Sequence, residues 1–257
     1  MNITSSLAMA ASLLILSVAA HAQTATDIVA ASDNVRNPRQ PFRATVTFTE
    51  YTAGKEQAHE ALALFSKEDS QTHQFRNVIQ YLEPPRDAGK RVLLDGRSLW
   101  FYDPASKTSV RISPQQRLIG QAAVGDVLTV NLVVDYSASL IGEETIQDAA
   151  RTERHCWHVE LHATNDRAVY NHIDYWVEKG SFFPIKGKLY SDSGRLLKII
   201  YFRKFTDRLG AVRPTEEIII DAVDASLATT ATFSDQAYLD IPDAWFQREY
   251  LPRLDVP

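Results

Sequence analysis

Residues 93–112 read LLDGRSLWFYDPASKTSVRI. The turn dipeptide Asp95-Gly96 is followed by Leu99-Trp100-Phe101-Tyr102, and Asp103-Pro104 closes the run. A strand with one face in water alternates apolar and polar residues, whereas this one is apolar on both faces. A two-residue Asp-Gly hairpin predicts the pairs Leu94–Arg97, Val92–Leu99 and Lys90–Phe101 on one face. Leu93–Ser98, Arg91–Trp100 and Gly89–Tyr102 then fall on the other. The first face carries more aliphatic surface and is assigned to the interior. Trp100 and Tyr102 then need cover, from Arg91 stacked on them or from another part of the chain.

Working outward, TDIVAASDNV at 26–35 has helical spacing and stops at Asn37-Pro38. PFRATVTFTEY alternates cleanly, with Phe42, Ala44, Val46 and Phe48 on one face and Arg43, Thr45, Thr47 and Thr49 on the other. ALALF and FRNVIQYL continue an antiparallel series, which Pro84-Pro85 ends. In SPQQRLIGQAAVGDVLTVNLVVDYSASL the pattern breaks. Ser113 and Pro114 predict a helix start, and Asp126 a second helix carrying Leu128, Leu132 and Tyr136, although the β-branched residues there also permit a strand. Strands resume at HCWHVELHAT, YNHIDYWVE, FPIKGKLYS and LLKIIYFRKF, with EEIIIDAV as the last clear one. IPDAWFQREYL reads as a short C-terminal helix stopped by Pro252. Without βαβ alternation this is a mostly β member of the α+β class. Its single antiparallel sheet is too long to stay flat, and it is expected to curl into an open barrel.

The first 22 residues hold an apolar run ending in Ala20-His21-Ala22, the pattern of a cleaved secretory leader, although no Lys or Arg precedes the run. The expected organisation is a leader at 1–22 and one domain at 23–257, exported to the periplasm. The single Cys156 makes no internal disulfide, so a large core must hold the fold. A net charge of −5 argues against a nucleic-acid partner, which needs a concentrated basic face.

The hairpin LLDGRSLWFYDPASKTSVRIS resembles the signature of the LolA/LolB-like outer-membrane lipoprotein carriers. So, in order, do PFRATVTF, SPQQRLIG with GDVL, DYWVEKGSFFPIKGKLYSDSGRLLK and IPDAWF. The resemblance implies a half-open antiparallel barrel with a helical lid, holding acyl chains of lipoproteins or lipids without any cofactor or catalytic group. Expected cavity residues are Val46, Phe48, Val92, Leu94, Leu99, Phe101, Leu118, Leu128 and Leu132. The family's carriers shut the lid with an Arg just before a Pro. Here Glu83-Pro84-Pro85-Arg86 puts the Arg after the prolines, leaving Arg86 and Arg91 as latch candidates. The implied partners are an inner-membrane transporter of the ABC or RND type as donor and an outer-membrane acceptor. A lipid-carrying accessory of an RND-type exporter is the alternative. A stress-sensor module like RseB would need a substantial second domain.

The enzyme alternative rests on His158-x-Glu160-x-His162, whose side chains share one strand face, as metal ligands must. Trp157, Val159 and Leu161 would then point inward. The plainer reading is a solvated polar face, because a metal site needs a further convergent ligand that the sequence does not identify. No Gly-rich phosphate loop, Gly-x-Ser-x-Gly or His-Glu-x-x-His motif is present.

Overall fold

The computed structural model describes residues 23–96 and 98–254, so the leader expected at 1–22 and the Leu94–Arg97 pair lie outside the described residues. Helix α1 (Ala25–Arg36) begins at Thr24, whose hydroxyl accepts the Asp27 amide while the Asp27 carboxylate accepts the Thr24 amide. This reciprocal cap satisfies two amides that a helix start otherwise leaves free. The chain then runs through β1 (Phe42–Thr52), β2 (Lys55–Glu68), β3 (Phe75–Glu83), β4 (Arg91–Leu94), β5 (Leu99–Asp103) and β6 (Thr108–Ile112). A small hairpin, β7 (Arg117–Ile119) and β8 (Ala122–Ala123), leads into two single-turn helices, α2 (Val124–Val127) and α3 (Leu132–Asp135). Strands β9 (Tyr136–Gln147), β10 (Glu153–Ala163), β11 (His172–Glu178), β12 (Pro184–Tyr190), β13 (Leu196–Arg208), β14 (Ala211–Asp221) and β15 (Leu227–Tyr238) follow. The chain ends in 3₁₀ turns at Asp243–Phe246 and Arg248–Arg253.

Thirteen strands form one antiparallel sheet in the order β6-β5-β4-β3-β2-β1-β15-β14-β13-β12-β11-β10-β9. Two meanders are thus joined where β1 pairs with β15, and β6 and β9 remain as free edges. The sheet is mostly β architecture left open as a half-barrel, as the sequence pattern and the resemblance had implied. Helix α1 and the 124–135 segment pack into its hollow. The inward residues Phe42, Ala44, Val46 and Phe48 of β1 are buried there beside Val159 and Leu161 of β10.

The 93–112 hairpin departs from the predicted register. Leu94 pairs with Leu99, Leu93 with Trp100, Val92 with Phe101 and Arg91 with Tyr102, so the loop holds four residues. Asp95 closes it by accepting the Ser98 amide at 2.8 Å and the Trp100 indole N–H at 3.1 Å. That second bond draws the turn wider than an Asp-Gly pair alone would set it. The shift is two residues, an even number, so every side chain keeps its face. Val92, Leu94, Leu99 and Phe101 join the hollow's core. Leu93, Trp100 and Tyr102 form a second core with Val78, Ile241, Phe246 and Leu251, the C-terminal tail lying across the outer face. Arg248 stacks on Trp100 at 4.3 Å and Arg91 lies 5.7 Å over Tyr102. The hairpin is apolar on both faces because it is the middle layer of three.

Other expectations also fail locally. No helix starts at Ser113: Pro114 enters a turn leading to β7, and its carbonyl accepts the Gly125 amide. The helix expected from Asp126 through Tyr136 is broken into two turns, its β-branched residues favouring the extended link, and Tyr136 already belongs to β9. The C-terminal helix is 3₁₀, with Pro252 inside its second turn. Strand β15 follows EEIIIDAV, which is therefore not the last strand.

Candidate functional site

The nine residues expected to line a cavity all sit in the hollow's apolar cluster, and of them Leu94, Leu99, Leu128 and Leu132 border at least one of three cavities. Val46, Phe48, Val92, Leu99, Leu128 and Leu132 are buried, and Leu94, Phe101 and Leu118 pack partly buried against them. Three cavities open beneath the 126–135 segment. One is lined mainly by Leu128, Leu132, Tyr175, Leu189, Ile200 and Phe202; a second by Phe42, Leu64 and Phe233 together with Arg36, Arg213 and Glu217; a third by Leu94, Leu99, Ile112 and Val169 together with Arg111, Asp166 and Arg167. Leu128 borders all three. Their volumes are about 90, 80 and 90 Å³. Each is below the ~150 Å³ that accepts a benzene ring, so none of them alone takes an acyl chain. Lifting one short segment would merge them.

That segment is fastened by polar side chains. Asn77, fully buried on β3, donates to the Thr129 carbonyl at 2.9 Å and accepts the Thr129 amide at 3.1 Å. Gln74 accepts the Asn131 amide at 2.7 Å and donates to the Asp135 carboxylate at 2.8 Å. From α1, Asp33 accepts the Leu132 amide at 2.7 Å and Asn37 donates to the Val130 carbonyl at 2.8 Å. Lys198 of β13 reaches the Asp126 carboxylate at 2.7 Å, with Asp126 only 1% exposed. The Tyr170 hydroxyl donates to the other Asp126 oxygen. Helix α1 is in turn held by Arg213, which donates to the carbonyls of Asn34 and Val35.

The described hydrogen bonds and ion pairs of the two latch candidates lead elsewhere. Arg91 donates to the Leu251 carbonyl at 2.7 Å and so holds the tail on the outer face. Arg86 is exposed and pairs with its neighbour Asp87. The real fasteners were missed, yet their signal is simple: Asn77 is in phase with Phe75 and Ile79, and Lys198 with Ile200 and Phe202. A polar residue in phase with core residues marks an interior hydrogen bond or ion pair.

Asp33 and Glu217 are among the ionisable groups in the hollow that their surroundings shift. Burial pushes the Asp33 carboxyl above its usual range, against the pull of Arg36. Glu217 borders the first two cavities, and burial pushes its carboxyl up to about 7, again opposed by Arg36. Cys156 is buried against Trp176 and Ile185, and desolvation raises its thiol to about 12, which leaves it inert as a nucleophile at neutral pH. His158, Glu160 and His162 lie on the outer face of β10, with Trp157, Val159 and Leu161 turned into the hollow.

A crystal structure of a LolA superfamily protein from Nitrosomonas europaea is 30% identical to this chain, covering 89% of it and 100% of the other, with a TM-score of 0.79. The chain belongs to the LolA superfamily. A DUF1329 family protein from Desulfovibrio piger has the same fold at 20% identity and a TM-score of 0.75, covering 88% of this chain and 97% of its own. An outer-membrane lipoprotein-sorting protein domain from Vibrio parahaemolyticus does so at 17% identity and 0.73, covering 89% and 98%. A family model described as an uncharacterized protein matches residues 73–253 of this LolA superfamily chain. No curated protein matches it in sequence. The LolA-like fold is a carrier and binding fold rather than that of an enzyme family.

Proposed function

We propose that this LolA superfamily protein is a periplasmic carrier that takes acyl chains of lipoproteins or lipids into its hollow and releases them between the inner and outer membranes. The observation that carries the reading is the arrangement under the 126–135 segment. Three small cavities, each with apolar walls and charged groups at its border, meet at one strip of chain whose fasteners are hydrogen bonds and the ion pairs Lys198–Asp126 and Arg167–Asp135. An acyl chain gains about 0.8 kcal/mol for each methylene removed from water. That gain, summed over a chain, offsets the loss of bonds that each contribute about 1 kcal/mol net. The lid therefore opens for cargo without chemistry, and the protein acts without a catalytic group. The domain is residues 23–257, exported by the leader at 1–22. The donor is an inner-membrane transporter of the ABC or RND type, and the acceptor lies at the outer membrane.

Mass spectrometry of organic extracts from protein purified out of the periplasm tests the proposal. Expected are stoichiometric acyl lipids and an intact mass beginning at Gln23. A lipid-free protein that also fails to bind a fluorescent fatty-acyl probe would overturn it.

A further inference from the structure

We infer that the outer face of the β10–β11 hairpin is a binding site for a divalent transition-metal ion of the zinc type, with Glu160, His162 and His172 as its ligands. The pairing of β10 with β11 places His172 directly opposite His162, which supplies the convergent ligand that the His-x-Glu-x-His stretch lacks on its own. Directly opposed residues on antiparallel strands have Cβ atoms about 5 Å apart, close enough for two imidazoles to share one ion.

The donor atoms are already gathered. The Glu160 carboxylate bridges the two rings, Oε2 lying 3.2 Å from His162 Nε2 and Oε1 3.2 Å from His172 Nε2. All three ligand atoms fall within 4.8 Å of one another. Nitrogen and oxygen ligands held 2.0–2.2 Å from a tetrahedral zinc ion lie about 3.3 Å apart, so both measured pairs have the required span. The rings of His162 and His172 stack with centroids 4.8 Å apart and an interplanar angle of 12°, and His172 stacks in turn on Tyr190 at 4.6 Å, so the half-exposed His162 is the ring that turns to bring both nitrogens onto one ion.

A second observation points the same way. The Nε2 of His172 is buried and makes no hydrogen bond, although Glu160 Oε1 and Asp174 Oδ1 lie 3.2 and 3.5 Å away. Buried ring nitrogens are ordinarily bonded. The His172 ring nitrogen is thus left open to an ion that the Glu160 carboxylate also holds. Asp174 is itself held by the Tyr190 hydroxyl at 2.7 Å and touches His158 at 3.4 Å. Such outer partners fix ligand direction and tune affinity. Two imidazoles and a carboxylate suit zinc, copper or nickel rather than calcium or magnesium, which favour oxygen. The site is on the side of the sheet away from the hollow, so it stands whether or not the carrier reading does.

The test is isothermal titration of the full, metal-stripped protein with zinc chloride near neutral pH, supported by the visible spectrum after cobalt substitution. One ion per chain is expected, with the absorption of a low-symmetry four-coordinate cobalt site. His172→Ala and His162→Gln should each weaken binding at least 100-fold. Asp174→Asn should cost roughly tenfold, the range for outer partners. His73→Ala, an exposed histidine elsewhere, should change nothing. His162 is half exposed, so His162→Gln is expected to keep the wild-type melting temperature and serves if His172→Ala fails to fold. Absence of stoichiometric binding, or binding that survives in a folded His162→Gln protein, overturns the inference.

Discussion

Replacing Asn77 by alanine should loosen the lid without unfolding the barrel. The Asn77 side chain is fully buried and makes both a donor and an acceptor bond to the Thr129 backbone, at 2.9 and 3.1 Å. In Asn77→Ala the Thr129 amide and carbonyl lose these partners while the segment is shut. An unsatisfied buried polar group costs about 1–3 kcal/mol. Lifting the segment returns both groups to water, so the penalty falls on the closed state. Taking about 2 kcal/mol as the net change, the open population rises roughly 30-fold. Hydrogen exchange should read this at the Asn131 and Leu132 amides, whose own acceptors, Gln74 and Asp33, are untouched by the change. Their exchange should accelerate by that factor, while amides of Ile79 and Ile219 in the buried sheet keep wild-type protection. The uptake rate of a fatty-acyl probe should rise in parallel. Unchanged exchange at 131 and 132, or an equal acceleration throughout the sheet, would refute the idea of a separately opening lid.

Three further outcomes follow from the same geometry. Lys198→Met should lower stability to urea by about 3–5 kcal/mol, because it leaves the Asp126 carboxylate buried without its cation; adding Asp126→Asn should restore part of the loss. Glu217 binds its proton up to about pH 7 when folded and releases it near 4.5 when unfolded, so the native state holds more protons between those values and stability must fall as pH rises through that window. Glu60, also raised to about 7, acts in the same sense, so the Glu217 share is the difference between melting curves of wild type and Glu217→Gln, which should lose less stability between pH 5 and 8. Leu99→Asp, at the edge of the third cavity, should fold with a lowered melting temperature and abolished probe binding, whereas Phe48→Asp, sealed within the core, should not yield folded protein.

The alternation of β1, the helical spacing of 26–35 and the absence of βαβ units made the antiparallel architecture legible. The faces of the 93–112 hairpin were legible too, because parity survives a two-residue shift. Its register was not, since the Asp95–Trp100 bond that widens the turn is a side-chain contact with no period. Strand β15, LATTATFSDQAY, was hidden by small and hydroxyl residues. Thr229 and Ala231 are buried because β15 lies between β1 and β14, a pairing that joins distant parts of the chain. The lid's fasteners carry no motif, whereas the family resemblance points to arginines near the prolines. In this chain those arginines serve the tail and the surface, and Asn77, Gln74, Asp33 and Lys198 do the holding. His172, likewise, becomes a partner of His162 only through strand pairing.

The proposed carrier function requires cargo to occupy the space beneath Leu128. A photo-cross-linking amino acid placed at Leu128, in protein exported by living cells, tests it most directly, with the same residue at Val223, 90% exposed, as the reference position. The expected result is an adduct at 128 whose mass corresponds to an acyl lipid or acylated lipoprotein, and none at 223. Irradiated protein that is unmodified at 128, or modified equally at both positions, would contradict it.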